Sequence, residues 1–482
     1  MEIVPSTFLA LVAAATLLWI GPFRGLWAFV GLAPFGAAAA FNLPALGGAT
    51  IGQLEFTLCI VFFIAIARHG GPDRILGTLR PLQPGFFLLL LLIYCFISAV
   101  FFPRIFAGDT EIFGLSRAVN EDRIISIPLA PSSGNITQSF YFLLSSLVFL
   151  ALATLYRLRP DEGAVFKALV ICTSVNFALG MIDVVSAAAG LKTLMDPLRT
   201  ANYAMAVFHE MAGIKRMVGG MPEASAFGSF SVVLFGFWLH YWTVSARSRL
   251  VTAMLLIALF CVLRSTSSGA YVALVLLLVY YSIAVLFRSA GGAFPRRVAF
   301  YLVTTIAVAW LAGIAMLVGY HMFDVVERFL NETLFSKLQS DSGVERMAWN
   351  AQAYKNFTDT WLMGAGLGSV RASNWFMACL GSLGVLGTAL YLLFLASLFS
   401  APARTGSKPR DNVIQALKVA CLAQIIAAML TAATPNLGTL FFIFAGLVVG
   451  LSRSRIVVRA DNASQWLAHP RPSHGLRQRQ VP

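Results

Sequence analysis

Phe86-Phe87-Leu88-Leu89-Leu90-Leu91-Leu92-Ile93-Tyr94-Cys95-Phe96-Ile97-Ser98-Ala99-Val100-Phe101-Phe102 runs without a charge or a proline. At about 1.5 Å of rise per residue, a helix of that length crosses most of the roughly 30 Å hydrocarbon core of a bilayer. Residues 54–67, 139–156, 164–189, 226–242, 250–263, 270–287, 298–319, 375–399, 413–434 and 437–451 repeat the pattern with at most isolated charges. Residues 8–20 and 26–41 are shorter apolar stretches on either side of Gly21-Pro22-Phe23-Arg24-Gly25, and read either as two spans or as one span and a re-entrant piece. Over 482 residues, 58% hydrophobic and 12% charged content with a mean hydropathy of +0.79 is the composition of a polytopic membrane protein. A barrel would instead show short alternating strands. The expectation is an all-α polytopic membrane protein with about 12 (11–13) transmembrane helices. No cleavable signal peptide is expected, because the first apolar stretch passes directly into another.

The formal net charge of +14 would suit a nucleic-acid partner if the basic residues were gathered on one surface. They are sorted by loop instead. The connections at 68–80, 157–167, 244–250, 288–297, 400–418 and from 453 onward carry 21 Lys and Arg against five acids, whereas those at 103–137, 190–223, around Arg264 and 320–374 carry 13 basic and 13 acidic residues. This is the positive-inside pattern, so the first set is expected in the cytoplasm, the second outside it, and no nucleic acid is expected as a partner. Residues 1–452 read as one membrane-embedded domain with outer loops at about 103–137, 190–223 and 320–374, and residues 453–482 as a basic, disordered cytoplasmic tail. Cys59, Cys95, Cys172, Cys261, Cys379 and Cys421 lie in or at the ends of spans without metal-ligand spacing, which makes them packing residues.

The longest polar interruption, 320–374, centres on Asp341-Ser342-Gly343-Val344-Glu345-Arg346-Met347-Ala348-Trp349-Asn350. Ser342 and Glu345 have capping-box spacing and predict a helix from there to about Phe357. Arg346 then falls in the first turns, where free N–H groups and the macrodipole favour an anion, and it shares a face with Asn350 and Tyr354. Gly364, Gly366 and Gly368 follow, then Arg371, Ser373 and Asn374 just before the next apolar run. A cationic helix end followed by a tight glycine turn at a membrane surface suits a phosphate-bearing lipid. The plainer reading is a surface helix with one solvated arginine.

Other outer segments add candidates. Asp183 sits about two turns from the outer end of span 164–189, where an ionisable group is either functional or held in an interhelical hydrogen bond. The next loop brings Arg199 and then Lys215-Arg216-Met217-Val218-Gly219-Gly220-Met221-Pro222-Glu223. Pro222 starts a helix with Glu223 in its first turn, where a carboxylate is a good dipole partner or a candidate base. Arg264 opens the hydroxyl-rich turn Ser265-Thr266-Ser267-Ser268-Gly269 and could serve a substrate or reach lipid headgroups. Asn135-Ile136-Thr137 matches a glycosylation sequon, a pattern common by chance. Gly381, Gly384 and Gly387 suit close helix packing, and Pro435-Asn436 marks a turn between the last two spans.

Nucleotide and zinc-hydrolase chemistry lack their motifs: there is no GxxxxGK[ST], no HExxH and no CxxC, and no strand precedes Gly364-Ala365-Gly366-Leu367-Gly368. Arg216-x-x-Gly219 through Glu223-Ala224-Ser225, Ser265 through Gly269, and Arg346-x-x-Trp349 leading to Gly364-x-Gly366-x-Gly368 resemble the O-antigen ligase and polymerase superfamily. Pro131 to Gln138 and Ser373-Asn374 are most similar to its exopolysaccharide-polymerase branch. The likeness covers about residues 131–387 and rests on the order and membrane side of short motifs.

The resemblance implies a GT-C-like membrane glycosyltransferase without metal or other cofactor. Its donor would be an undecaprenyl-diphosphate-linked glycan, used at the periplasmic face of a bacterial inner membrane. Expected partners are that substrate, membrane lipid, and the chain-length regulator and flippase of a polysaccharide assembly system. Arg216 and Arg346 match arginines that contact the diphosphate, with Arg264 beside them; Arg199, Arg371, Ser373 and Asn374 are further candidates for substrate contact. Glu223 is the favoured general base, with Asp183 or Glu345 behind it. Ligases of the superfamily carry a histidine where Ser373 stands, and the serine-rich turn has Ser268 where an arginine is common before the glycine. The alternatives are ligase-type transfer to another acceptor, a lipid-linked glycan transporter, and a non-enzymatic assembly partner.

Overall fold

The computed structural model describes residues 2–43, 49–68, 71–115, 124–203, 205–211, 213–245, 248–289, 296–331 and 341–453. The proposed tail lies outside these residues. In chain order the helices are α1 (Thr7–Arg24), α2 (Leu26–Val30), α3 (Gln53–Arg68), α4 (Gly71–Leu76), α5 (Pro84–Ile105), α6 (Ser133–Leu158), α7 (Glu162–Ala188), α8 (Ala224–Val244), α9 (Arg249–Arg264), α10 (Ser268–Ser289), α11 (Arg296–Met322), α12 (Asp324–Leu330), α13 (Asp341–Asp359), α14 (Trp375–Phe399), α15 (Lys408–Thr431) and α16 (Thr439–Ser452). Among the described residues, nine helices are long and apolar enough to cross a membrane: α1, α5, α6, α7, α8, α10, α11, α14 and α15; α3 and α16 are shorter apolar helices. The chain is thus a mostly helical, multi-pass membrane protein. Among the described residues, three small antiparallel strand pairs decorate the loops of this helical fold: β1 (Ala39–Leu43) with β2 (Ala49–Gly52), β3 (Glu111–Leu115) with β4 (Ile124–Pro128), and β5 (Glu210–Met211) with β6 (Ile214–Lys215).

Of the apolar stretch 26–41, only Leu26–Val30 is helical. Gly31, Pro34 and Gly36 follow within six residues; glycine gains nothing from helix and proline offers no N–H, so the chain continues in turns. The segment still crosses the bundle. At one end Lys167 lies over the Trp27 ring, 5.8 Å from its centroid, and at the other Ala37 donates its N–H to the Gly220 carbonyl at 2.8 Å. Thr200 and Ala201 in turn donate to the Ala37 carbonyl at 3.0 and 3.1 Å. An irregular backbone within a membrane needs such partners, since lipid supplies none.

Hydrogen bonds fix which helix ends lie together. Arg157 donates to the Gly77 carbonyl (2.7 Å), Arg410 pairs with Glu162 (3.3 Å), and Arg453 reaches Gln83 at one end. At the other, called here the loop-bearing end, Asn135 at the start of α6 donates to the Leu367 carbonyl and to Ser369 (both 2.8 Å), and the Trp375 indole donates to the Pro435 carbonyl (2.9 Å). Asn135 is buried and occupied, so the sequon is not a surface acceptor. The centre of the bundle packs α6 against α16 and α8 against α15. Gly446 and Gly450 of α16 let its backbone approach α6 so closely that a Cβ there would fall 2.8 Å from the Phe149 carbonyl oxygen or 3.0 Å from that of Leu152. Where lipid already satisfies apolar side chains, this close small-residue packing is what holds helices together. Five cysteines are buried, Cys59 is exposed, and all six are unpaired.

The glycine run 364–368 is structural in a way its spacing did not disclose. Gly364, Gly366 and Gly368 all have left-handed φ (83°, 95° and 88°), and each lies against backbone of another element. A Cβ on Gly364 would meet the Gly384 nitrogen at 2.6 Å, and one on Gly366 the Ser98 carbonyl oxygen at 2.7 Å. Gly384 itself has φ 63° and breaks α14, which frees carbonyls of the helix for Ala365 and Gly366 to donate to, at Gly381 (2.8 Å) and Ser382 (3.0 Å). Of the α14 glycines, Gly384 thus receives a loop, whereas Gly381 and Gly387 bring neighbouring helices close, a Cβ on them falling 2.8 Å from the Ala353 carbonyl oxygen of α13 and 2.6 Å from the Tyr94 ring of α5.

Candidate functional site

The loop between α7 and α8 is built around Asp183. This carboxylate is 2% exposed, and all its acceptor positions are engaged. Oδ1 takes Arg199 at 2.6 Å and Lys215 at 2.7 Å; Oδ2 takes the N–H groups of Val218 and Gly219 at 2.9 and 3.2 Å. Arg199 also donates to the Gly219 carbonyl at 3.2 Å. Gly219 needs its left-handed φ of 58° to turn there, beside Phe227 and the Gly180 nitrogen. Asp183 and Arg199 are thus bound to each other, and what they hold in place is the residue after Lys215.

That residue is Arg216, half-buried, with its Nε buried and without an acceptor among the described residues. Its backbone N–H is tied to the His209 carbonyl (3.3 Å), and Arg264 braces the same loop by donating to the Lys215 carbonyl at 2.8 Å. Burial draws the Arg216 pKa below its ordinary value; Glu223 and Tyr271 act in the opposite sense, and Arg346 adds to the lowering. A guanidinium stays protonated even so. Glu223, Tyr271 and Arg346, from separate parts of the chain, thus each act electrostatically on Arg216. Tyr271, on α10, donates its hydroxyl to the Leu263 carbonyl at 2.6 Å, next to Arg264.

Glu223 stands at the N-cap of α8, not in its first turn: its backbone is extended (φ −154°, ψ 163°) and its exposed carboxylate accepts from Ser225 instead of capping the helix. Arg346 is half-buried in the second turn of α13 and carries no hydrogen bond or ion pair among the described residues. Trp349, three residues on, has a buried indole N–H without an acceptor among the described residues. The helix starts at Asp341 and runs to Asp359, so Ser342 lies inside it and not at its cap. α13 is pinned from behind: Gln352 donates to the Glu111 carbonyl (2.6 Å), Asn356 to Thr110 (3.0 Å), and Asn350 accepts the Ser373 N–H at 2.8 Å. Glu345 and Arg371 are exposed and make no hydrogen bond or ion pair with this group among the described residues.

Asn374 and Ser373 serve the backbone. Asn374 is the N-cap of α14, its Oδ1 accepting from Phe376 (2.9 Å) and Met377 (3.1 Å) while Nδ2 donates to the Met429 carbonyl at 2.7 Å. With every polar atom of its side chain used, Asn374→Ala is expected to lower stability by about 1 kcal/mol while turnover per folded molecule stays unchanged. Thermal melting in detergent alongside an activity assay on the same preparation checks this; a lost activity at full stability would return Asn374 to the substrate-contact set.

Residues that the sequence reading passed over complete the picture. Lys215 is half of the clamp on Asp183, and its only signal was the tandem with Arg216. Tyr271 follows the serine-rich turn directly, and Trp349 shares a helix face with Arg346. Among the described residues, no cluster of three or more His, Cys, Asp or Glu could hold a metal ion. No family model matches the chain, and no curated protein matches it.

Proposed function

We propose that this protein polymerises undecaprenyl-diphosphate-linked oligosaccharide repeat units into exopolysaccharide or O-antigen at the periplasmic face of the inner membrane. The observation that supports the reading most directly is Arg216: a guanidinium fixed by the Asp183 clamp, with a buried donor lacking an acceptor, Arg346 in its field and a single carboxylate, Glu223, opposing. Two cations facing one anion leave the group wanting a ligand with negative charge. A diphosphate fits guanidinium forks, and charge-assisted hydrogen bonds of this kind contribute about 1.5–3 kcal/mol each.

In the reaction, an acceptor hydroxyl oxygen attacks the anomeric carbon of the donor sugar, and the bond from that carbon to the diphosphate oxygen breaks. Glu223 takes the hydroxyl proton, and the electron pair leaves on the diphosphate. Negative charge grows on the leaving group as the bond lengthens, so Arg216 and Arg346 hold the transition state more tightly than the ground state. Arg264 keeps the loop that carries Arg216 in place. Purified protein in bilayers, given a synthetic undecaprenyl-diphosphate repeat unit without added nucleotide, should build a ladder of polymer. Absence of any ladder with the native repeat unit overturns the proposal, and a product one repeat long on a different acceptor would make the protein a ligase.

A further inference from the structure

A second polar cleft opens at the loop-bearing end, and the diphosphate reading makes no use of it. Two adjoining cavities of about 360 and 380 Å³ share Gly36, Gly52, Glu55, Gly438 and Thr439 as common wall. Glu55 is the residue around which they join. It is half-buried in the first turn of α3, its Oε1 accepts from the Thr439 hydroxyl at 2.7 Å, and it has no cationic partner among the described residues. A Cβ on Gly52 would collide with Oε2, so the glycine leaves that oxygen its place. A carboxylate at a helix start is also a good dipole partner, but that accounts for neither the cleft nor its lining.

The lining is mixed in a particular way. Gln138 presents an amide with no hydrogen bond among the described residues, and Asn436, Tyr141 and Tyr203 stand around it. The two tyrosines are held by their hydroxyls, Tyr141 on the Thr50 carbonyl at 2.5 Å and Tyr203 on that of Gly36, which fixes both rings at the cleft. A carboxylate and amides to bind adjacent hydroxyls, with rigid rings for the C–H faces, are the groups that recognise a sugar. A phosphate is excluded by the uncompensated Glu55, and an apolar tail by the amides. The deeper cavity reaches Met221 and Ala226, which flank Glu223 in the chain.

We propose that this cleft binds the glycan moiety of the substrate, with Glu55 and Gln138 holding hydroxyls of the acceptor sugar. The assignment of that sugar as acceptor rests on the polymerase reading; the recognition of saccharide does not. Two probes separate them. Protein in nanodiscs is titrated calorimetrically with the free repeat-unit oligosaccharide, carrying neither lipid nor phosphate, and separately with inorganic pyrophosphate. Glu55→Gln keeps the acceptor for Thr439 and removes only charge, and Gln138→Ala removes an amide without a hydrogen bond among the described residues. Each should weaken the oligosaccharide about tenfold and leave pyrophosphate binding unchanged, whereas Arg216→Lys should do the reverse. Wild-type protein that fails to bind the oligosaccharide up to about 10 mM, or an affinity that neither Glu55→Gln nor Gln138→Ala alters, overturns the cleft. Loss of oligosaccharide binding in these two variants supports it, even if pyrophosphate does not bind and the polymerase reading falls.

Discussion

Arg216→Lys is expected to slow ladder formation by about 10²-fold, or about 2.7 kcal/mol of transition-state stabilisation, with the melting temperature of the protein unchanged. Lysine keeps the positive charge but replaces a planar fork by a point charge, so it loses the paired hydrogen bonds to a diphosphate. The folded protein loses little, because among the described residues the Arg216 side chain donates no hydrogen bond and its Nε has no partner to forfeit. Arg346→Lys should act in the same direction. Because the two arginines serve one leaving group, the double variant should lose less than the sum of the two. Full activity in both single variants would remove the diphosphate assignment.

Replacing Asp183 by alanine should have a different signature. The clamp it forms is buried, and its loss leaves Arg199, Lys215 and two backbone N–H groups without their acceptor. Removing one side of a buried ion pair costs about 3–5 kcal/mol, and here it should appear as a large drop in melting temperature together with weakened pyrophosphate binding, because the loop no longer presents Arg216. Asp183→Asn, which preserves shape, should fall between and should leave the shape of the pH–rate profile as it was. Were Asp183 a proton acceptor in the reaction, the asparagine variant would instead be inactive at full stability and its profile would lose a limb. The same comparison separates Asp183 from Glu223, whose exposed carboxylate can be replaced by glutamine with little effect on the fold.

These contrasts show which physical signals a linear sequence carries. Uncharged runs and the sorting of lysine and arginine between alternate loops are local properties, and they gave the helices and the grouping of the loops. Arg216, Arg346 and Glu223 stood out because each sits beside a helix start or a glycine turn, where charge is informative. Asp183 was legible as an expensive residue, but not as a clamp: its partners lie 16 and 32 residues further on, and nothing local distinguishes Arg199 or Lys215 from solvated cations. At residues 31–38 the sequence leaves a span and a re-entrant piece both open. Gly31, Pro34 and Gly36 announce a broken helix, but apolar composition alone does not say whether a broken stretch crosses the bundle. Asn374 and the glycine run were read as chemistry because polar and flexible residues at a membrane surface look alike whether they bind a ligand or cap a helix. Glu55 was passed over for the opposite reason, since a carboxylate in a first turn already has an explanation.

The broken segment at Leu26–Ala38 also fixes an order of biogenesis. Its turns bond largely within themselves, but the groups that pair with the Ala37 N–H and carbonyl, at Thr200, Ala201 and Gly220, are translated more than 150 residues later. Until they are made, the peptide groups of Ala37 lack partners that lipid does not supply. Closure of the loop carrying Arg216 onto Ala37 is therefore the step that completes the hydrogen bonding of this segment.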